Sequence, residues 1–174
     1  MRYFACAHGG AVFSYHLLKC LFLACAFVLA LPTAVISHPI EIIYEGESAE
    51  LDLSSVPDFL PRTQFETTTV WTDASDLYEG VLLRDLLTHL DVDLSASGGR
   101  VTVEALDGYS AEIEFGQISD EAPLLAFLRN GKPMPRRAQG PYWLIFPYDH
   151  DPQYRTESIY AQSVWQVTRL TISY

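Results

Sequence analysis

Apolar and polar side chains alternate along much of the chain beyond residue 38, and this period of two predicts strands with one buried face. The predicted strands are residues 40–44, 49–53, 65–72, 100–105, 109–115, 142–146 and 163–174. Asp107-Gly108 lies between two of them, where an Asp-Gly pair is a strong hairpin signal. A further apolar run, 122–128, ends at the turn residues Asn130-Gly131. Strands therefore dominate the predicted fold.

One segment has helical spacing instead. Its four leucines recur at intervals of three and four residues, which places them on one helical face. They are Leu83, Leu86, Leu87 and Leu90. Residues 83–90 therefore predict a short helix, on which we expect Arg84 to form an ion pair near the first turn and His89 to lie at the edge. Many strands with a few short helices predict the α+β fold class, with a mixed or antiparallel sheet.

Residues 17–36 form an apolar stretch broken only by Lys19 and Pro32, and Arg2 and Lys19 place positive charge ahead of its densest part, residues 21–31. This pattern is typical of a secretory signal, so we predict a signal peptide over residues 1–37 and export to a bacterial periplasm. Cleavage after Ser37 would make His38 the first residue of a single domain, residues 38–174. An uncleaved membrane anchor is the alternative, because the stretch is just long enough to span a bilayer.

The charge balance narrows the range of partners. The chain has a formal net charge of −11, and residues 38–174 hold all 22 acidic residues against nine of the 11 basic ones. Such a domain repels phosphate, which argues against nucleic acid and, unless the N-terminal segment is retained, against a membrane. The three cysteines all lie within residues 1–37. The predicted mature chain can therefore form no disulfide, thiolate metal site or cysteine nucleophile.

The common catalytic motifs are absent from the sequence: it has no Gly-rich phosphate loop, no G-x-S-x-G elbow and no H-E-x-x-H motif. Asp149-His150-Asp151 is the group most like a metal site, but adjacent residues cannot readily face one ion, so a solvated loop is the favoured interpretation. His38 could bind copper if it were the first residue of the mature chain, although an ordinary processed terminus is favoured.

Arg136-Arg137 is the only adjacent basic pair within residues 38–174, and it lies in a loop rich in Pro and Gly. Loops of this kind often carry binding residues, so an anion clamp and a solubilising loop tip are equally favoured. Four aromatic residues could line a pocket, although aromatic side chains on strands are more often part of a core. They are Trp71, Tyr142, Trp143 and Trp165.

Two strings are more specific than these single residues: EGVLLRDLL at residues 79–87 and NGKPMPRRAQGPYWLIFP at residues 130–147. Together with FETTTVWT at 65–72, ALDGY at 105–109 and SVWQV at 163–167, they resemble the sulfite-oxidase-like molybdopterin-binding domain family, in particular its short exported members. The resemblance runs over residues 40–174. It implies the sulfite-oxidase-like molybdopterin-binding fold, in agreement with the α+β prediction.

The resemblance also implies where the family's cofactor would lie. Relatives bind molybdenum through a cysteine on the strand that is similar to residues 65–72, whereas this chain has three threonines there, Thr67 to Thr69. Two positions that are often basic in relatives are tryptophans in this chain. By this resemblance the residues expected to contact a cofactor or ligand are Thr68, Thr69, Trp71, Arg136, Arg137, Trp143 and Trp165. No catalytic or metal-binding residue is predicted.

Two functions are consistent with these residues. The first is a binding or sensory module without catalytic molybdenum, which takes a small anionic or organic ligand or a membrane-bound partner protein. A threonine hydroxyl cannot replace a soft thiolate, which favours this first function and predicts no bound cofactor. The alternative is a molybdopterin-dependent oxidoreductase subunit without a cysteine ligand. It would need an external redox partner, since the sequence has no C-x-x-C-H haem motif.

Overall fold

The computed structural model describes residues 39–53 and 60–174. The predicted signal peptide, residues 1–37, and His38 lie outside the described residues. The strands are β1 (Ile40–Tyr44), β2 (Glu47–Leu51), β3 (Thr63–Thr67), β4 (Asp76–Leu82), β5 (Arg100–Ala105), β6 (Ser110–Glu114), β7 (Leu124–Arg129), β8 (Lys132–Pro133), β9 (Trp143–Ile145) and β10 (Val167–Ser173). The helices are α1 (Leu83–His89) and α2 (Glu157–Gln162). Neither helix has the length and the apolar character that crossing a bilayer requires.

The strands form two sheets. The first has the order β2-β1-β10-β5-β6, in which β1 and β10 run parallel and the other neighbours are antiparallel. The second has the order β3-β4-β7-β8, with β9 also paired to β7, and all its pairs are antiparallel. The predicted α+β class with mixed and antiparallel sheets is therefore confirmed.

Local sequence signals account for much of this arrangement. The predicted hairpin is confirmed as β5 and β6, and Gly108 in its turn adopts a positive φ of 87° that favours glycine. On α1 the buried residues are Leu83, Leu86 and Leu87, so the leucine face packs against the core as predicted. Arg84 forms an ion pair with Asp120, also as expected.

Three predicted strand boundaries are wrong. The strand predicted at 65–72 is β3, which ends at Thr67. Thr68 and Thr69 do not continue it, because their hydroxyls bond to a side chain and to a turn N–H instead of a neighbouring strand. The last strand begins at Val167 and not at residue 163, because Gln166 has a left-handed φ of 52° that interrupts it. The second strand spans Glu47–Leu51 instead of 49–53, because the turn at Glu45 and Gly46 sets an earlier register.

Candidate functional site

All three tryptophans of the chain meet in one cluster, although they come from distant parts of the sequence. Trp71 lies in the loop after β3, Trp143 begins β9, and Trp165 precedes β10. The ring centroid of Trp71 lies 5.7 Å from that of Trp143 and 5.6 Å from that of Trp165, and both pairs meet edge to face. Edge-to-face contacts of this kind stabilise aromatic clusters beyond the area they bury.

Trp143 forms the buried side of this cluster. Its side chain is fully buried, its indole N–H donates to the backbone oxygen of Ser163 at 3.3 Å, and its ring packs on Tyr78 at 5.6 Å. Burial raises the pKa of Tyr78 to about 12, and burial also raises the pKa of Tyr148, whose hydroxyl is paired with that of Ser163. Both phenols are therefore neutral at physiological pH, and this side of the cluster is an uncharged core wall.

On the other side of Trp71 and Trp165 there is an open cavity of about 250 Å³. Its lining residues are Trp71, Ala105, Asp107, Tyr109, Tyr160, Ser163, Val164 and Trp165. We call this space the aromatic cavity. Four of its lining side chains are aromatic, and Asp107 is the one charged residue among them.

The predicted residue Thr68 lies next to the cluster but is engaged by Asp149. The backbone N–H of Thr68 donates to the carboxylate at 2.6 Å, and its hydroxyl donates at 2.8 Å. These two bonds hold the pKa of Asp149 below its ordinary value, and the bond from the backbone N–H has the larger effect. The buried hydroxyl of Thr67 accepts from the Asp149 N–H at 3.2 Å and donates to the Thr68 oxygen. The threonines therefore tie the end of β3 to the 149–155 loop.

Thr69 has a different local role. Its hydroxyl accepts from the backbone N–H of Trp71 at 3.0 Å and pairs with the hydroxyl of Thr72 at 2.9 Å. A side chain that bonds the backbone two residues later replaces a strand bond by a turn. This turn brings Trp71 towards the other tryptophans.

The two predicted arginines lie elsewhere. Arg136 and Arg137 are exposed on a 3-10 turn, and Arg136 borders a smaller cavity of about 130 Å³ together with Leu106 and Gln166. The side-chain amide of Gln166 donates to the backbone oxygen of Arg136 at 2.6 Å. Neither arginine lines the aromatic cavity. The structure thus brings together the three predicted tryptophans but not the basic pair, and the anion clamp stays a prediction.

The sequence offered one metal-like group, Asp149-His150-Asp151, and all three of its residues are exposed. Nδ1 of His150 lies 3.8 Å from a carboxylate oxygen of Glu121. Within residues 39–53 and 60–174, no group of three or more His, Cys, Asp or Glu side chains is placed to hold a metal ion. The loop is nevertheless not fully solvated, because Thr68 binds Asp149.

Six of the eight residues that line the aromatic cavity are not predicted from sequence, among them its carboxylate, Asp107, and its two tyrosines, Tyr109 and Tyr160. Asp107 and Tyr109 flank the glycine of the hairpin turn, and that turn was their only local signal. Tyr160 lies on α2, a six-residue helix that is too short to show a clear apolar period. Only tertiary contacts bring these side chains to Trp71 and Trp165.

Comparison with known proteins agrees with this fold. The model of the family described as "Oxidoreductase molybdopterin binding domain" matches residues 61–149. No match was found among curated proteins. A solved structure, the sulfane dehydrogenase SoxCD from Paracoccus pantotrophus, superposes with a TM-score of 0.57 at 20% sequence identity. The match covers 78% of this chain and 38% of the SoxCD chain, so this chain spans well under half of that protein's length.

The family match includes β3, β4, α1, the β5–β6 hairpin, β7, β8 and β9, which are the elements that carry Trp71 and Trp143. It extends over just over half of the 174 residues, and the likeness to SoxCD supports the same fold independently. The chain therefore belongs to the oxidoreductase molybdopterin-binding domain family.

Proposed function

We propose that this domain is an exported binding module that takes a small organic ligand in the aromatic cavity and works without a molybdenum centre. The aromatic cavity itself carries this proposal: four aromatic side chains line about 250 Å³ beside residues 65–72, the segment where the family resemblance implies the metal ligand of relatives. Concave, mostly apolar sites with few polar groups are the usual sites for small organic ligands.

The donor groups present do not fit molybdenum ligation. The described residues contain no cysteine, and the three threonines offer hydroxyl oxygens that molybdenum would meet as neutral, hard donors. The Thr68 hydroxyl is also bonded to Asp149, and that of Thr69 to Thr72 and to the N–H of Trp71. Either hydroxyl would have to give up these hydrogen bonds before it could coordinate a metal.

The charges and size of the aromatic cavity do not fit a pterin phosphate either. None of the nine basic residues in residues 38–174 lines it, and its one charged residue, Asp107, would repel a phosphate. Its volume of about 250 Å³ is below the range of about 300–1,000 Å³ that is typical of pockets for drug-sized ligands. The residues of the aromatic cavity therefore do not fit a pterin phosphate, and we assign no redox step to this chain.

Family membership favours a second candidate, a subunit that binds molybdopterin for an oxidoreductase. The family match over residues 61–149 is the observation behind it. In that case the metal would be held by a group other than cysteine or by a partner subunit, and an external redox partner would be needed, since residues 39–53 and 60–174 contain no cysteine.

The two candidates differ in cofactor content. The protein should be purified from cells that make molybdopterin, next to a cysteine-containing member of the same family. Molybdenum is then determined by elemental analysis, and released pterin by fluorescence. We expect both to be far below one per chain here and near one per chain in the cysteine-containing control. Near-stoichiometric molybdenum and pterin in this protein would overturn the binding-module proposal in favour of the second candidate.

A further inference from the structure

The walls of the aromatic cavity meet at right angles. The rings of Trp71 and Trp165 are 5.6 Å apart with planes at 85°, and those of Trp71 and Tyr160 are 5.9 Å apart at 88°. At these separations the edge of one ring lies against the face of the other, so the rings form a closely packed aromatic wall beside the cavity and not a stack. The face of an aromatic ring carries negative potential, so a cavity with four aromatic side chains in its lining attracts a cation more than an anion.

The charges at and around the cavity also favour a positively charged ligand. Asp107 is exposed at the rim, and one of its oxygens accepts a hydrogen bond from the Tyr109 N–H at 3.0 Å, which fixes the carboxylate in the hairpin turn. No basic residue lines the cavity, and the domain around it carries a large excess of acidic side chains. Both the local and the overall charge therefore favour a cation over an anion.

The rings are held in place without a ligand. The hydroxyl of Tyr109 donates to the backbone oxygen of Ala161 at 2.7 Å, which joins the hairpin turn to the end of α2. Tyr160 packs on the buried Tyr148 at 5.3 Å, and Trp71 and Trp165 both pack on the buried Trp143. Little side-chain ordering is needed on binding, so less of the binding free energy is lost.

Among cations, the lining selects one class. A primary ammonium group needs an acceptor for each of its three N–H bonds, and one that is left unpaired away from water weakens binding. The lining has one carboxylate, that of Asp107, and the hydroxyl of Ser163 is already bonded to the Ile159 oxygen and the Tyr148 hydroxyl. A quaternary ammonium group has no N–H to satisfy and presents a positive, apolar surface, which suits an aromatic lining.

We propose that the aromatic cavity binds an organic cation with a quaternary ammonium group, held by the aromatic lining and by the charge of Asp107. This inference rests on the proposed function, since it names the class of ligand that the same cavity takes.

The test compares choline with 3,3-dimethyl-1-butanol, which has the same shape but carbon in place of the charged nitrogen. Because all three tryptophans lie in the cluster, the tryptophan fluorescence of the purified full protein reports on binding at this place, and calorimetry gives an independent affinity. We expect choline to bind at least about tenfold more tightly than the neutral alcohol, as cation–π attraction in a partly desolvated site predicts.

The variant Asp107→Asn tests the role of the charge. Asparagine keeps an oxygen that can accept from the Tyr109 N–H, so the turn is preserved while the charge is lost. We expect choline to bind about five- to tenfold more weakly and the alcohol to bind unchanged. Asp91→Asn is the matched control, because Asp91 is exposed, does not line the cavity and has a left-handed φ of 56° that asparagine tolerates.

The outcomes separate the two proposals. Equal affinity for choline and the alcohol would overturn the inference of a cation site but would leave a cavity for small organic ligands. No binding of either probe to protein free of pterin and molybdenum would overturn the cation inference alone. No binding together with stoichiometric pterin would overturn both. An equal effect of Asp107→Asn and Asp91→Asn would remove Asp107 from the site.

Discussion

Asp149 is a single carboxylate that fastens one loop to another. It accepts hydrogen bonds from the backbone N–H and the hydroxyl of Thr68, and these bonds hold its pKa below the ordinary value. Arg155 lies 3.7 Å away and adds a weaker attraction. Because the pKa is lower in the folded state than in the unfolded one, the carboxylate stabilises the fold above the unfolded-state pKa. This contribution is lost as the pH falls through the folded-state pKa.

We predict that Asp149→Asn lowers the free energy of unfolding at pH 7 by about 1 kcal/mol, since the bonds lie at a partly exposed site where water weakens them. The difference from the wild type should close as the pH falls through the folded-state pKa of Asp149, because the wild-type carboxylate then becomes protonated as well. Urea unfolding of both proteins at pH 7 and at an acidic pH below that pKa measures this. Asp91→Asn, at another exposed position, should change little at either pH. A difference that persists at low pH would assign the effect to shape and not to charge.

At the scale of elements, β4 joins the second sheet to the helix. It pairs with β3 on one side and β7 on the other, and it leads directly into α1. At its centre Gly80 faces Ala126, where the register with β7 shifts. A Cβ at position 80 would lie 2.7 Å from the Cα of Ala126 and closer still to the oxygen of Leu125. The backbones approach here to a distance that only glycine allows.

We predict that Gly80→Ala lowers the free energy of unfolding by about 2–3 kcal/mol, because the clash is with backbone atoms that cannot rotate away. Gly116→Ala is the matched control. A Cβ at residue 116 would meet no atom within 4 Å, and no positive φ restricts that position. We expect its stability to be unchanged or slightly higher, because alanine restricts the unfolded chain. Denaturant unfolding compares the two variants, and equal stabilities would contradict the close packing of β4 on β7.

At the scale of the whole molecule, local signals predict most of the elements but not β4 or α2, and tertiary contacts decide the site. The hairpin at residues 100–115 was predicted to within about a residue, because alternation and an Asp-Gly turn are properties of neighbouring residues. The strand predicted at 65–72 was too long, because Asp149, which binds Thr68, comes from 81 residues further along the chain. The resemblance to the family placed the tryptophans in one region, but no local pattern could show that Tyr109 and Tyr160 complete the cavity.

The distribution of cysteines makes cleavage of the predicted signal peptide testable by counting thiols. All three cysteines precede residue 38, so a protein cleaved after Ser37 contains none. We predict that thiol titration of the denatured, periplasmic protein finds no thiol, that its mass matches residues 38–174, and that a reductant leaves its melting temperature unchanged. The unprocessed chain made in the cytoplasm serves as the control and should give three thiols. Three thiols in protein recovered from the membrane fraction would instead show that residues 17–36 remain as an anchor.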